Sequence, residues 1–335
     1  MPNPLISILL PVKNASAYLP DCINSILGQS ATNWELIAID DHSDDDSYEI
    51  LKNYAQQDSR ISVYKNDKKG IIPALRKAYT QSCGQLITRM DADDIMVPKK
   101  LEQLKALLLQ HGSNHLSTGL VKYFSKGELG GGYLKYQNWL NELSLAGNNY
   151  LDIYKECVIP SPCWMVFRQD LDRCGAFESD TYPEDYDLCF RFYKNGLQVK
   201  TVPEVLHHWR DYAERTSRND PNYSDVHFFD LKIKYFLALD YNKNRPLVLW
   251  GAGKKGKQLA QALNAQQIPF RWITDNPQKI DHVIYDIKLE PTEQLETILH
   301  PQLIIAIAAP TALVQIQKTL DSLSLEKAQD YFSFC

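Results

Sequence analysis

Apolar residues in this chain come in short runs separated by longer amphipathic stretches. Leu5-Ile6-Ser7-Ile8-Leu9-Leu10 is nearly continuous and is closed by Pro11. It predicts a strand covered on both faces, as in a parallel sheet. Leu19, Cys22, Ile23, Ile26 and Leu27 then recur at helical spacing, with Gly28 as the stop. Leu36-Ile37-Ala38-Ile39 predicts a second strand, ending in the acidic run Asp40 to Asp46. Ser47 is placed to cap a helix carrying Ile50, Leu51 and Tyr54. Ile61 to Tyr64 and Leu86 to Met90 predict two more strands, with a helical stretch containing Leu75 and Ala78 after Gly70. Asp91-Ala92-Asp93-Asp94 follows the fourth strand directly. Pro98 opens a helix with Leu101, Leu104, Leu107 and Leu108 on one face.

The pattern weakens from Gly112 to Tyr154. Gly130-Gly131-Gly132 reads as a loop, with a helix from Trp139 and Leu140 and a turn at Pro160-Ser161-Pro162. Tyr182-Pro183-Glu184-Asp185-Tyr186-Asp187 reads as an acidic loop running into a helix with Leu188, Phe190 and Phe192. Two short strands, Val199 to Val202 and Val205 to Trp209, precede a helix from Asp225 to Leu239. A polar break at Tyr241 to Pro246 separates a second α/β pattern. Its strands are Leu247 to Trp250, Phe270 to Ile273 and Leu303 to Ala308. The predicted domains are therefore 1–243 and 244–335, consistent with about 150 residues per domain. Strands alternating with helices indicate a mostly parallel sheet, whose ligands sit at the carboxyl ends of the strands. Three polar segments fall there: Pro11 to Asn14, Asp40-Asp41 and Asp91 to Asp94.

Composition narrows the function. The net charge of −5 argues against a nucleic-acid partner, which requires a basic surface. Seven cysteines without a Cys-x-x-Cys pair suggest reduced, mostly buried thiols rather than a disulfide framework or zinc site. No signal peptide is evident, and no apolar run reaches the ~18 residues of a membrane span. The expectation is a cytoplasmic protein, with any membrane association peripheral and at the inner face.

Asp91, Asp93 and Asp94 offer hard oxygen ligands suited to Mn²⁺ or Mg²⁺, with substrate phosphates completing the shell; the alternative is a solvated turn that caps the next helix. Asp40-Asp41 can accept hydrogen bonds from a base imide or ribose hydroxyls, or can be another acidic turn. Glu184-Asp185 can supply a general base, or can merely complement a helix dipole. His207 and His208 are candidates for a further metal ligand, with a structural role as the alternative.

Taken together, Ile8-Leu9-Leu10-Pro11-Val12-Lys13-Asn14-Ala15, Trp34 to Asp41, Arg89 to Asp94 and Pro183 to Asp187 closely resemble family-two glycosyltransferases of the GT-A fold, over about residues 4 to 240. The resemblance implies an inverting, metal-dependent transfer of sugar from a nucleotide-sugar to a glycan or lipid-linked hydroxyl acceptor in cell-surface polysaccharide synthesis. It implies a UDP-linked donor, with Pro11, Lys13, Asn14, Asp40, Asp41 and Arg76 toward the nucleotide. Asp91 and Asp93 would serve the diphosphate and metal, with Asp94 beside the donor sugar. Asp185 would be the base, Glu184 would contact the acceptor, and Arg210, Arg215 and Ser217 would close over the diphosphate. Lys13 stands where relatives often carry Tyr.

Gly251-Ala252-Gly253-Lys254-Lys255-Gly256 fits a dinucleotide fingerprint after a strand, with Asp275 as a ribose partner. The unit is expected to be Rossmann-like. Its glycines serve either a bound nucleotide or close packing alone. The competing functions are therefore an NAD(P)-dependent oxidoreductase working through Gly251, Gly253 and Gly256, and a non-catalytic nucleotide-sugar-binding protein.

Overall fold

The computed structural model describes residues 4–213, 215, 222 and 225–335. The chain forms two compact units: Met1–Asn149 with Val158–Asn219, and Tyr150–Cys157 with Asp220–Cys335. The sequence boundary at 243/244 instead leaves the 150–157 segment and the Asp225–Leu239 helix with the first part.

In the first unit the elements follow as β1 (Ile6–Val12), α1 (Leu19–Leu27), β2 (Trp34–Asp40), α2 (Ser47–Gln57), β3 (Ile61–Lys65), α3 (Ile71–Gln81), β4 (Leu86–Arg89), β5 (Ile95–Met96), α4 (Lys100–His111), β6 (His115–Phe124), α5 (Gly131–Ala146), β7 (Trp164–Phe167), α6 (Arg168–Arg173), α7 (Glu184–Lys194) and β8 (Gln198–Arg210). The sheet order is β3-β2-β1-β4-β7-β6-β8-β5. Strands β3, β2, β1 and β4 are parallel. Strand β7 runs antiparallel to both β4 and β6, so β6 and its parallel partner β8 point the same way as β1. The ends of β1, β2, β4 and β8 thus meet one edge of the sheet. Register aligns Val12 with Asp40, and the Met90 amide continues the ladder to Leu9. The expected α/β architecture and mostly parallel sheet are present, and the apolar runs form its core: Ile6, Ile8, Leu10, Leu36, Ala38 and Leu86 are buried.

Local readings differ in several places. The loop expected at Gly130 to Gly132 is the start of α5, which begins at Gly131 rather than near Trp139. The two strands predicted around 199–209 are one strand, β8, with register shifts against β6 beside Gly119 and Leu120. Strands β6 and β7 lie in stretches whose periodicity is weak. Ser47 does not cap α2: its hydroxyl accepts from the Ala15 amide at 2.9 Å.

The second unit contains α8 (Asp225–Leu239), β9 (Leu247–Trp250), α9 (Lys254–Ala265), β10 (Arg271–Thr274), β11 (Val283–Ile284), β12 (Ile287–Pro291), β13 (Gln302–Ile305), α10 (Pro310–Ser322) and β14 (Tyr331–Ser333). Its sheet runs β11-β12-β10-β9-β13-β14, parallel except for the β11/β12 hairpin. The Tyr154 ring stacks on Phe334 at 5.1 Å and meets Phe236 and Phe332 edge-on. Its hydroxyl donates to Asp240 at 2.5 Å. Among the described residues, no helix is long and apolar enough to cross a membrane.

Two of the three fingerprint glycines, Gly251 and Gly256, have a packing role here. Gly251 has φ 116°, and a Cβ on Gly256 would lie 2.0 Å from the Gly251 carbonyl oxygen. The first turn of α9 therefore rests directly on the β9 turn. Asp275 accepts from the Trp250 indole at 3.1 and 3.2 Å. Gly256→Ala is expected to lower the stability of this unit by about 1–3 kcal/mol, the usual cost of overpacking. Gly253→Ala, whose Cβ would meet nothing within 4 Å, should leave it nearly unchanged. Calorimetric unfolding of the two variants checks the difference.

Candidate active site

Strand β4 ends at Arg89, whose side chain is only 6% exposed. Its Nε donates to Asp91 Oδ1 at 3.0 Å, and its Nη1 donates to Glu184 Oε1 at 3.0 Å. One planar guanidinium thus joins the loop after β4 to the first turn of α7, and the two acidic segments, nearly a hundred residues apart, share one place. Arg89 was not among the residues expected to act. A cation inside a strand whose neighbours are apolar is the available sequence signal.

Within the loop, the three carboxylates differ. Asp94 is fully buried, accepting from the Arg210 amide at 2.7 Å and from His207 Nε2 at 2.9 Å. Burial and the Asp91 charge push it up to about 8, with Arg215, the Arg210 amide and Lys100 pulling the other way. Both its oxygens are engaged within the protein, which leaves Asp91 and Asp93 as the carboxylates of this loop that remain partly exposed. Asp93 is raised to about 7 by burial and by Asp94 and Asp91, against Arg215 and the Tyr212 hydroxyl. Arg210 lies between the rings of Tyr18 and Phe124, at 4.9 and 4.6 Å, and donates to the Asp93 carbonyl at 2.6 Å and to Asp21 at 3.0 Å. Arg215 sits 5.3 Å from the Trp209 ring. Against burial, Asp94, Tyr123, Asp93 and Asp91 hold its proton more firmly than usual. Ser217 lies outside the described residues.

On the neighbouring strand of the same sheet edge, the Pro11–Asn14 segment is fastened to the 43–47 turn. Asn14 has φ 48°; its amide donates to Ser43 at 3.0 Å and its side-chain oxygen accepts from the Asp44 amide at 2.8 Å. Asp45 accepts from the Ser16 amide at 2.9 Å, so part of the acidic run is a structural tie. Despite burial, bonds from Ser47 and Ser16 hold Asp45 down to about 2. Asp41 accepts from Asn66 Nδ2 at 2.7 Å and the Gly70 amide at 2.9 Å. Asp40 is buried, and its Oδ1 has no hydrogen-bond partner. Lys13 is exposed. Arg76 is committed elsewhere: it donates to the carbonyls of Phe177 and Glu178 at 2.9 Å and to Asp180 at 2.7 Å.

Pro183 precedes α7 through a cis Tyr182–Pro183 peptide, and Glu184 and Asp185 occupy the first helical turn rather than a loop. Asp185 lines a small cavity with Arg89, Ser161, Trp164, Phe177 and Cys189. Burial and Glu184 raise its carboxyl to about 7, partly offset by Arg89. The Ser161 hydroxyl on the same wall has no hydrogen-bond partner. An acid of this kind exchanges its proton near neutrality, as a general base must.

No group of three or more His, Cys, Asp or Glu side chains converges on a metal position among the described residues. Neither ring nitrogen of His207 is available, because both are hydrogen-bonded. A Mg²⁺-type ion nevertheless needs only one or two protein carboxylates when phosphates supply other oxygens. Asp91 and Asp93 fit such a donor set: besides burial, the charges of Asp94 and Asp91 raise Asp93, and a cation beside them would relieve that repulsion.

The family model "Glycosyl transferase family 2" matches residues 7–175. "O-antigen biosynthesis glycosyltransferase WbnJ" of Escherichia coli is 27% identical over 241 residues, covering 68% of this chain and 88% of that one. "Putative glycosyltransferase EpsE" of Bacillus subtilis is 27% identical over 225 residues, covering 66% and 78%. The structure of S. aureus TarS 1-349 in complex with UDP-GlcNAc superposes with a TM-score of 0.54 at 16% identity, covering 77% of this chain and 71% of that one. At that identity the likeness is one of fold.

The raised Asp185 carboxyl has a consequence for stability. The unfolded chain ionises this group near 3.8 and the folded one near 7, so the folded state holds its proton more tightly. The stabilisation from the neutral form is complete at low pH and is lost as pH rises through about 7. Asp185→Asn is expected to be near-neutral at pH 4 and stabilising by more than about 1.4 kcal/mol, the worth of one pK unit, at pH 8. Urea unfolding at the two pH values measures this.

Proposed function

The chain belongs to glycosyl transferase family 2, and we propose that it is an inverting transferase of GT-A type that moves a sugar from a UDP-linked donor to a hydroxyl of a glycan or lipid-linked acceptor. The observation that carries the reading is Arg89 bridging Asp91 and Glu184. It sets a diphosphate-binding acidic loop beside a carboxylate with the proton affinity of a base. The names of the relatives favour a role in cell-surface polysaccharide synthesis.

The nucleotide lies along the sheet edge from Pro11, Lys13 and Asn14 toward Asp91. Asp40, whose buried Oδ1 lacks a donor, accepts from the base or ribose. Asp41 holds the Gly70 turn that forms this wall, and Arg76 supports the 177–180 segment rather than the nucleotide. Asp91 and Asp93 would hold Mn²⁺ or Mg²⁺, and the ion would supply Lewis-acid stabilisation of the departing diphosphate. Arg215 adds positive charge on the same side. Asp185 takes the proton from the acceptor hydroxyl as that oxygen attacks the anomeric carbon on the face opposite the diphosphate, which inverts the configuration. Glu184, held by Arg89, raises the proton affinity of Asp185 and faces the acceptor. Arg210 fixes the loop backbone through the Asp93 carbonyl.

Asp185→Asn is expected to lower turnover by about 10²–10⁴-fold while leaving UDP affinity within about twofold. In the unaltered protein, kcat/KM should climb with pH through about 7, because the base acts only when ionised. A Mn²⁺-dependent assay over UDP-, GDP- and dTDP-sugars, followed by a pH profile on the active donor, checks both. Near-normal turnover of Asp185→Asn would remove Asp185 as the base.

A further inference from the structure

Behind the acidic loop, three fully buried titratable side chains form a line. Lys100 Nζ donates to the Pro162 carbonyl at 2.5 Å and lies 3.0 Å from His207 Nδ1. His207 Nε2 lies 2.9 Å from Asp94 Oδ2, and Asp94 Oδ1 accepts from the Arg210 amide at 2.7 Å. Lys100, His207 and Asp94 are each 0% exposed.

Stability is a poor reason for this arrangement. Burying a lysine and a carboxylate costs several kcal/mol each before they recover anything from one another, and well-packed apolar residues often serve as well. Lys100 also opens α4, where a positive charge opposes the helix dipole. What the line does achieve is connection. It ties the acidic loop, through Asp94, to β8, through His207, and to the Pro160–Pro162 turn, through Lys100. Ser161 of that turn lines the Asp185 cavity. A single ammonium therefore links the wall beside the candidate base to the loop beside the diphosphate.

The chemistry fixes the tautomer. An ammonium only donates, so His207 Nδ1 accepts and Nε2 carries the proton given to Asp94. A neutral imidazole then lies between Lys100 and Asp94, and neither of its nitrogens is left for a metal. We infer that Lys100 and His207 are positioning residues that hold the Asp91–Asp94 loop, through Asp94, in the shape that receives the metal-bound diphosphate. This inference rests on the function proposed above.

The test is calorimetric titration of UDP, with and without Mn²⁺, into the intact protein and into Lys100→Met. In the variant, Mn²⁺-dependent UDP affinity should fall about 10–100-fold, the usual effect of removing a group that orients metal-binding carboxylates. UDP affinity without metal should stay within about twofold. Equal losses with and without Mn²⁺, or no loss in either, overturn the inference. A wild-type protein that shows no Mn²⁺-dependent UDP binding overturns the proposed function and this inference with it. Whether or not Lys100→Met folds, ¹⁵N shifts of His207 in the unaltered protein give a second reading. One pyridine-like Nδ1 and one protonated Nε2, unchanged by Mg²⁺ and UDP, are expected. A protonated Nδ1, or a shift showing direct metal ligation, overturns the inference.

Discussion

The Arg89 guanidinium is the constraint on which the site depends. It comes from the buried end of β4 and pairs with Asp91 and Glu184 on either side of it. Three charges in a nearly dry place are tolerable when each is matched, and costly when one is missing. The loop after β4 and the first turn of α7 therefore hold one relative position, and the spacing between the two acidic segments follows from it. Asp185, one residue further along the helix, receives its raised proton affinity from the same crowding.

The sheet topology makes that meeting available. Antiparallel β7 reverses the direction twice, so β8 arrives parallel to β1 and ends at the edge where β1, β2 and β4 end. Strand β5 then pairs Ile95 and Met96 with His208 and His207, which fastens the acidic loop to β8 on the side away from Arg89. The loop is held from both flanks, with Asp91 and Asp93 between them.

Much of this was legible in the sequence wherever burial on both faces produced continuous apolar runs. Strands β1, β2, β4 and β9 were legible for that reason, and the polar residues at their ends marked the site. The middle of the chain was not. Strand β6 carries Ser117, Thr118 and Gly119 among its apolar residues, and a glycine pair opens α5, so neither shows a clean period. The individual carboxylates were also beyond the sequence. Asp40 and Asp41 are neighbours, yet one has an unpartnered buried oxygen and the other is saturated by Asn66 and Gly70. Asp93 and Asp94 differ too: Asp94 is buried with both oxygens engaged, and Asp93 stays partly exposed. Such differences come from tertiary partners, as does the diversion of Arg76 to the 177–180 segment.

The aromatic cage around Tyr154 also bears on how the chain is made. Phe236 and Phe334 leave the ribosome about 80 and 180 residues after Tyr154, so the ring cage on the 150–157 segment is complete only with Phe334. Residues on both sides of that segment belong to the first unit, which can complete its sheet while the segment waits as an exposed, aromatic loop. The second unit cannot close before the last strand and the residues after it are synthesised. Assembly of this protein is thus ordered in time by its own threading, with the segment that carries Phe332 and Phe334 acting as the latch.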